Sequence, residues 1–343
     1  TPTDSNGSPY SSPSSFALNP WFLDVGDLIQ RGFIFTSNQD YFKRTDTHSK
    51  SYFDFDSANN LSEKIGEQLL CDWGSQSEER KEDFFKWAKK SLWLDDFATF
   101  MVIKNEFNML PWWEWPNDFK QKNDVILEKW KYKKSNEILK YKLIQWHLDQ
   151  QWKQIKDLAK SKGIKLIGDL PFYVSRDSAD VWSNKSLFSI TKNGDLLFQS
   201  GVPPDYFSST GQLWGSPTYF WSKHKRSNFS WWRNRFKRQF ELVDILRLDH
   251  FRALAGYWRV DGVDKTAMNG KWINSPGRKL LNSLKKDLKT NFLPIIAEDL
   301  GVITPDVDLL RRDFGLPGMK ILQFAFDGNA NNPYLPENIK GNN

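Results

Sequence analysis

An α/β fold carrying a parallel sheet is predicted by three observations. Four times the chain runs helix, short turn, apolar strand, acid, and the acids are Asp169, Asp249, Glu298 and Asp327. The strands before them are apolar nearly throughout, as in sheets covered by helices. No Gly-x-Gly-x-x-Gly loop follows any of them, which counts against a nucleotide-binding doubly wound sheet. The four acids fall at C-terminal strand ends, where active sites sit in (β/α)8 barrels and ligands sit in open α/β sheets.

In chain order, residues 1–20 are loop chemistry rich in Ser, Pro and Gly. Tyr10, Phe16 and Trp21 imply that this segment is tied down. A short helix over 24–33 ends at Gly32, and 55–135 reads as mostly helical from the spacing of Phe84, Trp87, Ala88 and Leu92. Trp112, Trp113 and Trp115, between Pro111 and Pro116, are expected to form a rigid corner packed on a helix face, with a sugar platform as the lesser alternative. A long helix over 136–161 carries the stripe Tyr141, Ile144, Leu148, Trp152, Ile155, Leu158, with Gly163 as its cap. Strand 164–169 follows. Asn193-Gly194 predicts a hairpin between 187–191 and 196–198. Loops dense in glycine and aromatic residues occupy 201–215, where binding groups tend to sit. A helix near 231–241 precedes strand 244–249. A glycine-containing loop and helix 278–289 lead to strand 293–299, and a helix opens at Thr304-Pro305. The last predicted strand is 319–326.

Composition narrows the function. The formal charge of +6 is mildly basic, and Lys and Arg are interleaved with acids as on solvated helix faces, which argues against nucleic-acid binding. No stretch has the length of a transmembrane helix and no signal-peptide pattern opens the chain, so no membrane partner is expected. One cysteine, Cys71, makes a reducing, cytoplasmic setting the default. Four His and one Cys show no metal-ligand spacing, and no cofactor or metal is expected. The 17 Trp, 26 Phe and 10 Tyr will mostly be core, but aromatic faces also stack against sugar rings.

The chemistry centres on Asp-Ile-Leu-Arg-Leu-Asp-His-Phe-Arg at 244–252. Alternation puts Arg247 and Asp249 on one side of a strand. A buried Arg beside a buried Asp is expected to keep the carboxylate ionised, as a nucleophile requires; a structural ion pair is the plainer alternative. Glu298 follows the apolar Ile295, Ile296 and Ala297, and a less polar setting raises a carboxyl pKa. One ionised and one protonated carboxyl on a common rim is the requirement of glycosidic-bond chemistry. A separation of roughly 5–5.5 Å would give retention, and one near 8 Å inversion.

The motifs G-D-L-P-F-Y-V-S-R-D-S-A-D-V-W (168–182), G-V-P-P-D-Y-F-S-S-T-G-Q-L-W-G-S-P (201–217), R-L-D-H-F-R (247–252) and I-I-A-E-D-L-G-V-I-T-P (295–305) resemble the 4-α-glucanotransferases, also called amylomaltases or disproportionating enzymes, of the α-amylase-like superfamily. G-M-K-I-L-Q-F-A-F-D-G (318–328) and the S-P-Y…F-A-L-N-P stretch at 8–20 match as well, so the resemblance spans the chain. It implies transfer of a segment of a 1,4-α-glucan, such as a maltodextrin, to the 4-hydroxyl of glucose or a maltooligosaccharide by a retaining double displacement. Asp249 is then the nucleophile, Arg247 orients it, and Glu298 is the general acid/base. Asp169 and Tyr10 match donor-subsite positions. Tyr206, Phe207 and Trp214 match a mobile loop and an acceptor-side stacking surface, Asp205 and Gln212 belong to the same motifs, and His250 follows the nucleophile as a further substrate-binding candidate. For Asp205, Gln212 and Asp177, loop hydrogen bonding is an equal alternative; Asp327 reads as a structural loop acid.

The fold implied is an incomplete (β/α)8 barrel, an α/β TIM barrel of which the third to sixth strands (family β3–β6) are present. Residues 35–135 would be a helical insertion and 183–222 an active-site loop and hairpin insertion. The family's two opening strands and first helix are missing, as is the strand whose His-Asp motif carries a third catalytic carboxylate. The chain is therefore expected to be a fragment of a longer coding sequence, inactive and poorly folded alone. The full protein is expected to be a monomer. An α-amylase-type hydrolase and a non-catalytic glucan-binding protein are the alternatives.

Overall fold

The computed structural model describes residues 1–4, 7–35, 54–205, 208–301 and 303–339. They fall into two units: Thr1–Ser161 with Val174–Leu197, and Lys162–Tyr173 with Phe198–Asn343. The predicted helical residues from 55 to 135 lie in the first unit, and the 183–222 stretch is divided between the units after Leu197.

The first unit is helical for reasons written at each helix start. Asp24 caps α1 (Val25–Gln30) by accepting from Asp27 N, and Gly32 stops the turn at φ +69. Asp54 and Ser77 cap α2 (Phe55–Trp73) and α3 (Glu78–Lys90) in the same way. Helix α3 also carries Glu78 and Glu79 in its first turn and Lys89 and Lys90 in its last, matching the helix dipole. Helices α4 (Leu94–Glu106), α5 (Asn117–Lys120) and α6 (Asp124–Lys133) precede α7 (Ser135–Ser161), and α8 (Ala179–Ser183) follows later in the chain. Helix α7 packs on α2, α3 and α4, burying Leu143, Ile144 and Trp146 against Leu28, Ile65 and Phe84. Its predicted stripe sinks only part-way: Leu148 is buried, whereas Ile155 and Leu158, near the helix end, are exposed.

Two glutamines of α7 tie down the N-terminal segment. Gln145 accepts from Leu18 N and donates to Leu18 O, both at 2.8 Å. Gln151 does the same with Asp24, at 2.9 and 2.8 Å. Phe16 is buried and Trp21 donates to Asn59, as expected of a tethered segment, but the ring of Tyr10 is half exposed. The tryptophan corner is core: Trp112 and Trp115 are buried, and their ring N–H groups donate to Arg176 O and Leu110 O. The Asn193-Gly194 turn forms, with Gly194 at φ +96, but its strands reduce to the single bridge Ile190–Leu196.

The second unit holds both sheets. Strands β1 (Ile167–Leu170), β4 (Ile245–Leu248) and β7 (Ile295–Ala297) form a parallel sheet in the order β1-β4-β7. Strands β2 (Phe198–Val202), β3 (Gln212–Pro217), β5 (Gly256–Asp261) and β6 (Lys271–Asn274) form an antiparallel sheet in the order β3-β2-β5-β6. Helices α9 (Trp221–Arg226), α10 (Ser230–Leu242), α11 (Gly277–Leu288) and α12 (Pro305–Asp313) complete the unit. Leu246, Leu248, Ala297, Trp232, Phe236 and Leu280 are completely buried around the parallel sheet. The parallel strands β4 and β7 are largely buried, whereas β1 is exposed at Ile167 and Asp169.

Four expectations change. The strand expected at 164–169 begins at Ile167, although Leu166 O already accepts from the N–H groups of Asp244 and Ile245. The segment read as a glycine-containing loop after Arg252 contains β5 and β6, whose short runs were hidden by the polar linker between them. Residues 201–215, read as loops, include the close pair β2–β3, where a Cβ on Gly201 would fall 2.2 Å from Gln212 O. The strand expected at 319–326 does not form, and Leu322–Ala325 is a 3-10 turn instead. Its entry hydrogen bond is diverted: Pro317 O accepts from Ala297 N, but Met319 N donates to the Asp299 side chain rather than to a strand.

Candidate active site

The parallel register puts three acids on one rim. Asp169 pairs across the ladder with Arg247, and Leu248 with Ala297, so Asp249 and Glu298 leave neighbouring strands at the same level. Arg247 Nη1 donates to Asp169 Oδ1 at 2.6 Å and Nη2 to Asp249 Oδ1 at 2.8 Å. The alternation expected for 247 and 249 is therefore present. Glu298 is held from both sides by backbone: Oε2 accepts from His250 N at 2.8 Å and Oε1 from Leu300 N at 3.0 Å. His250 adopts a left-handed φ of 53, which turns the chain sharply after Asp249.

The electrostatics correct one expectation. Burial lowers the Arg247 pKa, but Asp169 and Asp249 together outweigh it and raise it on balance. Asp249 is not simply held ionised by this arginine. Burial raises its pKa above the ordinary carboxylate value, Arg247 opposes that, and Asp169 adds to it. The guanidinium is shared between two carboxylates, and the pair is only about three-quarters buried, at 25 and 27% side-chain exposure. Glu298 behaves as expected of an acid. Burial raises its pKa, the backbone donors of Leu300 and His250 oppose this, and Asp249 adds a further rise. The imidazole of His250 is buried and lowered to about 3, by burial first and then by Arg252. It is neutral at ordinary pH, with its ring against Trp214 at 4.8 Å and near Tyr173 at 6.3 Å.

The site is thus an arginine fork joining two carboxylates, beside a third carboxyl with a raised pKa. The family profile described as 4-alpha-glucanotransferase matches residues 1–343. The chain belongs to the 4-α-glucanotransferase family. It is 41% identical over 341 residues to the 4-alpha-glucanotransferase of Clostridium butyricum, covering 99% of this chain and 69% of that one. It is 39% identical over 345 residues to the enzyme of Synechocystis sp., covering 100% of this chain and 68% of the relative. The solved structure of amylomaltase from Streptococcus agalactiae in complex with acarbose superposes with a TM-score of 0.93 at 34% identity, over 100% of this chain and 68% of that one. The family's reaction takes an α-glucan donor and an acceptor sugar.

The remaining residues expected of a 4-α-glucanotransferase site are distributed unevenly. Trp214 lies on β3, 39% exposed, and donates to Gln212 Oε1 at 3.3 Å. Asp205 accepts from Ser208 N at 2.9 Å, which gives it a loop-forming role. Tyr206 and Phe207 lie outside the described residues. Tyr10 belongs to the first unit, in the turn Pro9–Ser11. Asp177 is also in that unit, bound to Lys104 and to Trp112 N. Asp327 accepts from Asn329 N, as a loop acid does. Three residues near the rim were not singled out from sequence. Tyr173, four residues after Asp169, stacks on Tyr219 at 5.9 Å. Met319 Sδ accepts from Arg247 Nε, and Asp299 holds Met319 N. The only signal for Tyr173 was its place in the 168–182 motif; Met319 was obscured by being read as strand.

Proposed function

We propose that Asp249 and Glu298 carry out a retaining double displacement on a 1,4-α-glucan. Asp249 attacks the anomeric carbon while Glu298 gives its proton to the leaving 4-oxygen, releasing the reducing-end segment. The freed Glu298 carboxylate then takes the proton of an acceptor 4-hydroxyl, whose oxygen displaces Asp249 and forms the new bond. Arg247 aims Asp249, and Asp169, His250 and Trp214, with Asp205, Tyr206, Phe207 and Gln212, bind the sugars. The observation that carries this reading is the Arg247 fork, which joins Asp169 to Asp249 at the level where Glu298 leaves the next strand. Neighbouring strands lie about 4.8 Å apart, closer to the roughly 5–5.5 Å of retaining pairs than to the wider inverting separation. We further propose that the sheet β1-β4-β7 is part of a (β/α)8 barrel carrying the helical residues as an insertion, which acids on the C-terminal rim of parallel strands support, and that the protein is a cytoplasmic monomer.

Transfer prevails over hydrolysis when the acceptor is held in attack geometry and water is kept out. The aromatic contacts of Trp214 with Tyr173 and His250 favour both. The test is product analysis with maltotriose, using the protein that carries this chain. A ladder of longer maltodextrins with glucose release is expected, and reducing ends accumulating without a ladder would overturn transfer.

A further inference from the structure

Arg247 makes a third side-chain contact, and its partner is not an acid. While Nη1 and Nη2 hold Asp169 and Asp249, Nε donates to Met319 Sδ at 3.3 Å. A thioether is a weak acceptor, so it seats the guanidinium without competing with the carboxylates for its charge. Met319 is in turn fixed through its backbone. Its N–H donates to Asp299 Oδ1 at 2.7 Å. Gly318 lies so close to the same carboxylate that a Cβ would sit 2.3 Å from Asp299 Oδ2. Pro317 O accepts from Ala297 N at 2.8 Å, and Leu316 O from Arg311 Nη1 at 3.1 Å. Arg311 Nε also pairs with Asp299 Oδ2 at 3.3 Å, with the two side chains 17 and 12% exposed. Four consecutive residues, 316 to 319, are thereby anchored to Asp299, Arg311 and β7, and the sulfur is delivered to the arginine.

We propose that Asp299, clamped by Arg311, is a positioning residue that acts through Met319 to set the Arg247 fork. This rests on the roles given above to Asp249 and Arg247. Asp299 directly follows Glu298 in sequence, yet its oxygens face Met319 and Arg311, so it works at one remove from the substrate. Replacing it by Asn keeps an acceptor for Met319 N but turns an N–H toward Arg311 Nε. Truncating Met319 leaves the guanidinium free to tilt about its two acid contacts.

The test compares Met319→Ala, Asp299→Asn, the double variant and Asp308→Asn in glucose release from maltotriose, again in the protein that carries this chain. Asp308 also binds Arg311, at 2.9 Å, but leaves the Asp299 pair intact and serves as the control. Each single change at 319 or 299 is expected to lower kcat about tenfold, less than the roughly 10²-fold of a full 1 Å misplacement because both acid contacts of Arg247 remain. KM should stay within about twofold, as for an interaction made only in the transition state. The double variant should be no worse than the weaker of the two singles, because both act along one path, and Asp308→Asn should match the parent. Multiplying losses in the double variant, or an unchanged kcat in Met319→Ala, would overturn the proposal. If Asp299→Asn fails to fold, Met319→Ala decides alone, since that side chain is only partly buried. Asp249→Asn in the same assay separates the two levels. If it stays active, the nucleophile assignment fails. If it is dead and Met319→Ala is unaffected, only the positioning role fails.

Discussion

Lys104 and Arg247 are both cations held against carboxylates, one in each unit. Lys104 is 6% exposed and directs its ammonium at Asp177 Oδ2, Met109 O and Leu110 O, at 2.6, 3.2 and 3.3 Å. An ammonium has three hydrogens, so its donors are used up. The other oxygen of Asp177 accepts from Trp112 N at 3.2 Å. Arg247 instead stands between two acids on a strand rim, and among the described residues Asp249 accepts only at Oδ1. Its second oxygen is left for something else, and its proton affinity is raised by burial and by Asp169. Closed hydrogen-bond capacity marks the first cluster as structure; an open carboxylate oxygen beside a shared guanidinium marks the second as chemistry.

That contrast can be broken by exchanging the expected outcomes. Asp249→Asn should lower kcat for maltotriose disproportionation by about 10⁶-fold, the scale for removing a nucleophile. Its melting temperature should hold or rise, because a partly desolvated charge has been removed; retained activity would refute the assignment. Glu298→Gln keeps an acceptor for only one of the two backbone donors, His250 N or Leu300 N, and cannot give up a proton, and should cost about 10²–10⁴-fold in kcat. Activity recovered with a donor bearing a good leaving group would identify the lost step as leaving-group protonation. Lys104→Met should reverse the pattern. It strands Asp177 and two carbonyls, and with Asp177 at 29% exposure the loss should be about 2 kcal/mol in urea unfolding, with kcat per folded molecule unchanged. A parental unfolding midpoint would show that the cluster is not structural.

The smallest effect is one of pH. His147 of the first unit is buried between Phe33 and Trp146, and its pKa is lowered to about 3 by burial, with Arg31 and Arg80 adding to it. The unfolded imidazole, with an ordinary pKa of 6.5, binds a proton that the folded one refuses. Its contribution is therefore complete above pH 6.5 and is lost as pH falls from there toward 3. His147→Phe should flatten the decline by at most roughly 1.4 kcal/mol per pH unit. Urea midpoints at pH 7, 6 and 5 measure this, and identical slopes in both proteins would contradict it.

The helices were legible because caps and apolar spacing are local: Asp24, Asp54 and Ser77 cap where side-chain chemistry permits. Strands β1, β4 and β7 were legible as apolar runs ending in acid, and they brought Asp249 and Glu298 together by register. Residues 319–326 show the limit of such patterns. Alternating apolar residues describe a strand only if the backbone finds a ladder, and here a carboxylate 20 residues earlier in the chain, Asp299, takes the N–H of Met319. The short strands β5 and β6 pair across a polar linker, a long-range match with no local mark. The direction of the Asp249 shift was not legible because neighbours in sequence revealed Arg247, but not the burial that raises its pKa, and only the ladder revealed that Asp169 shares the arginine. Asp177 was ambiguous for the same reason, until Lys104 appeared beside it.

The glutamine pair on α7 has a consequence for how the chain can vary. Gln145 and Gln151 are six residues apart, and so are Leu18 and Asp24, the residues whose backbone they grip at both N–H and carbonyl. Six helical residues rise about 9 Å, so the helix acts as a gauge against which the segment between the two grips is cut to length. One residue inserted or removed between 18 and 24 would let one amide seat only by unseating the other. Substitutions there should be tolerated far better than any change in spacing.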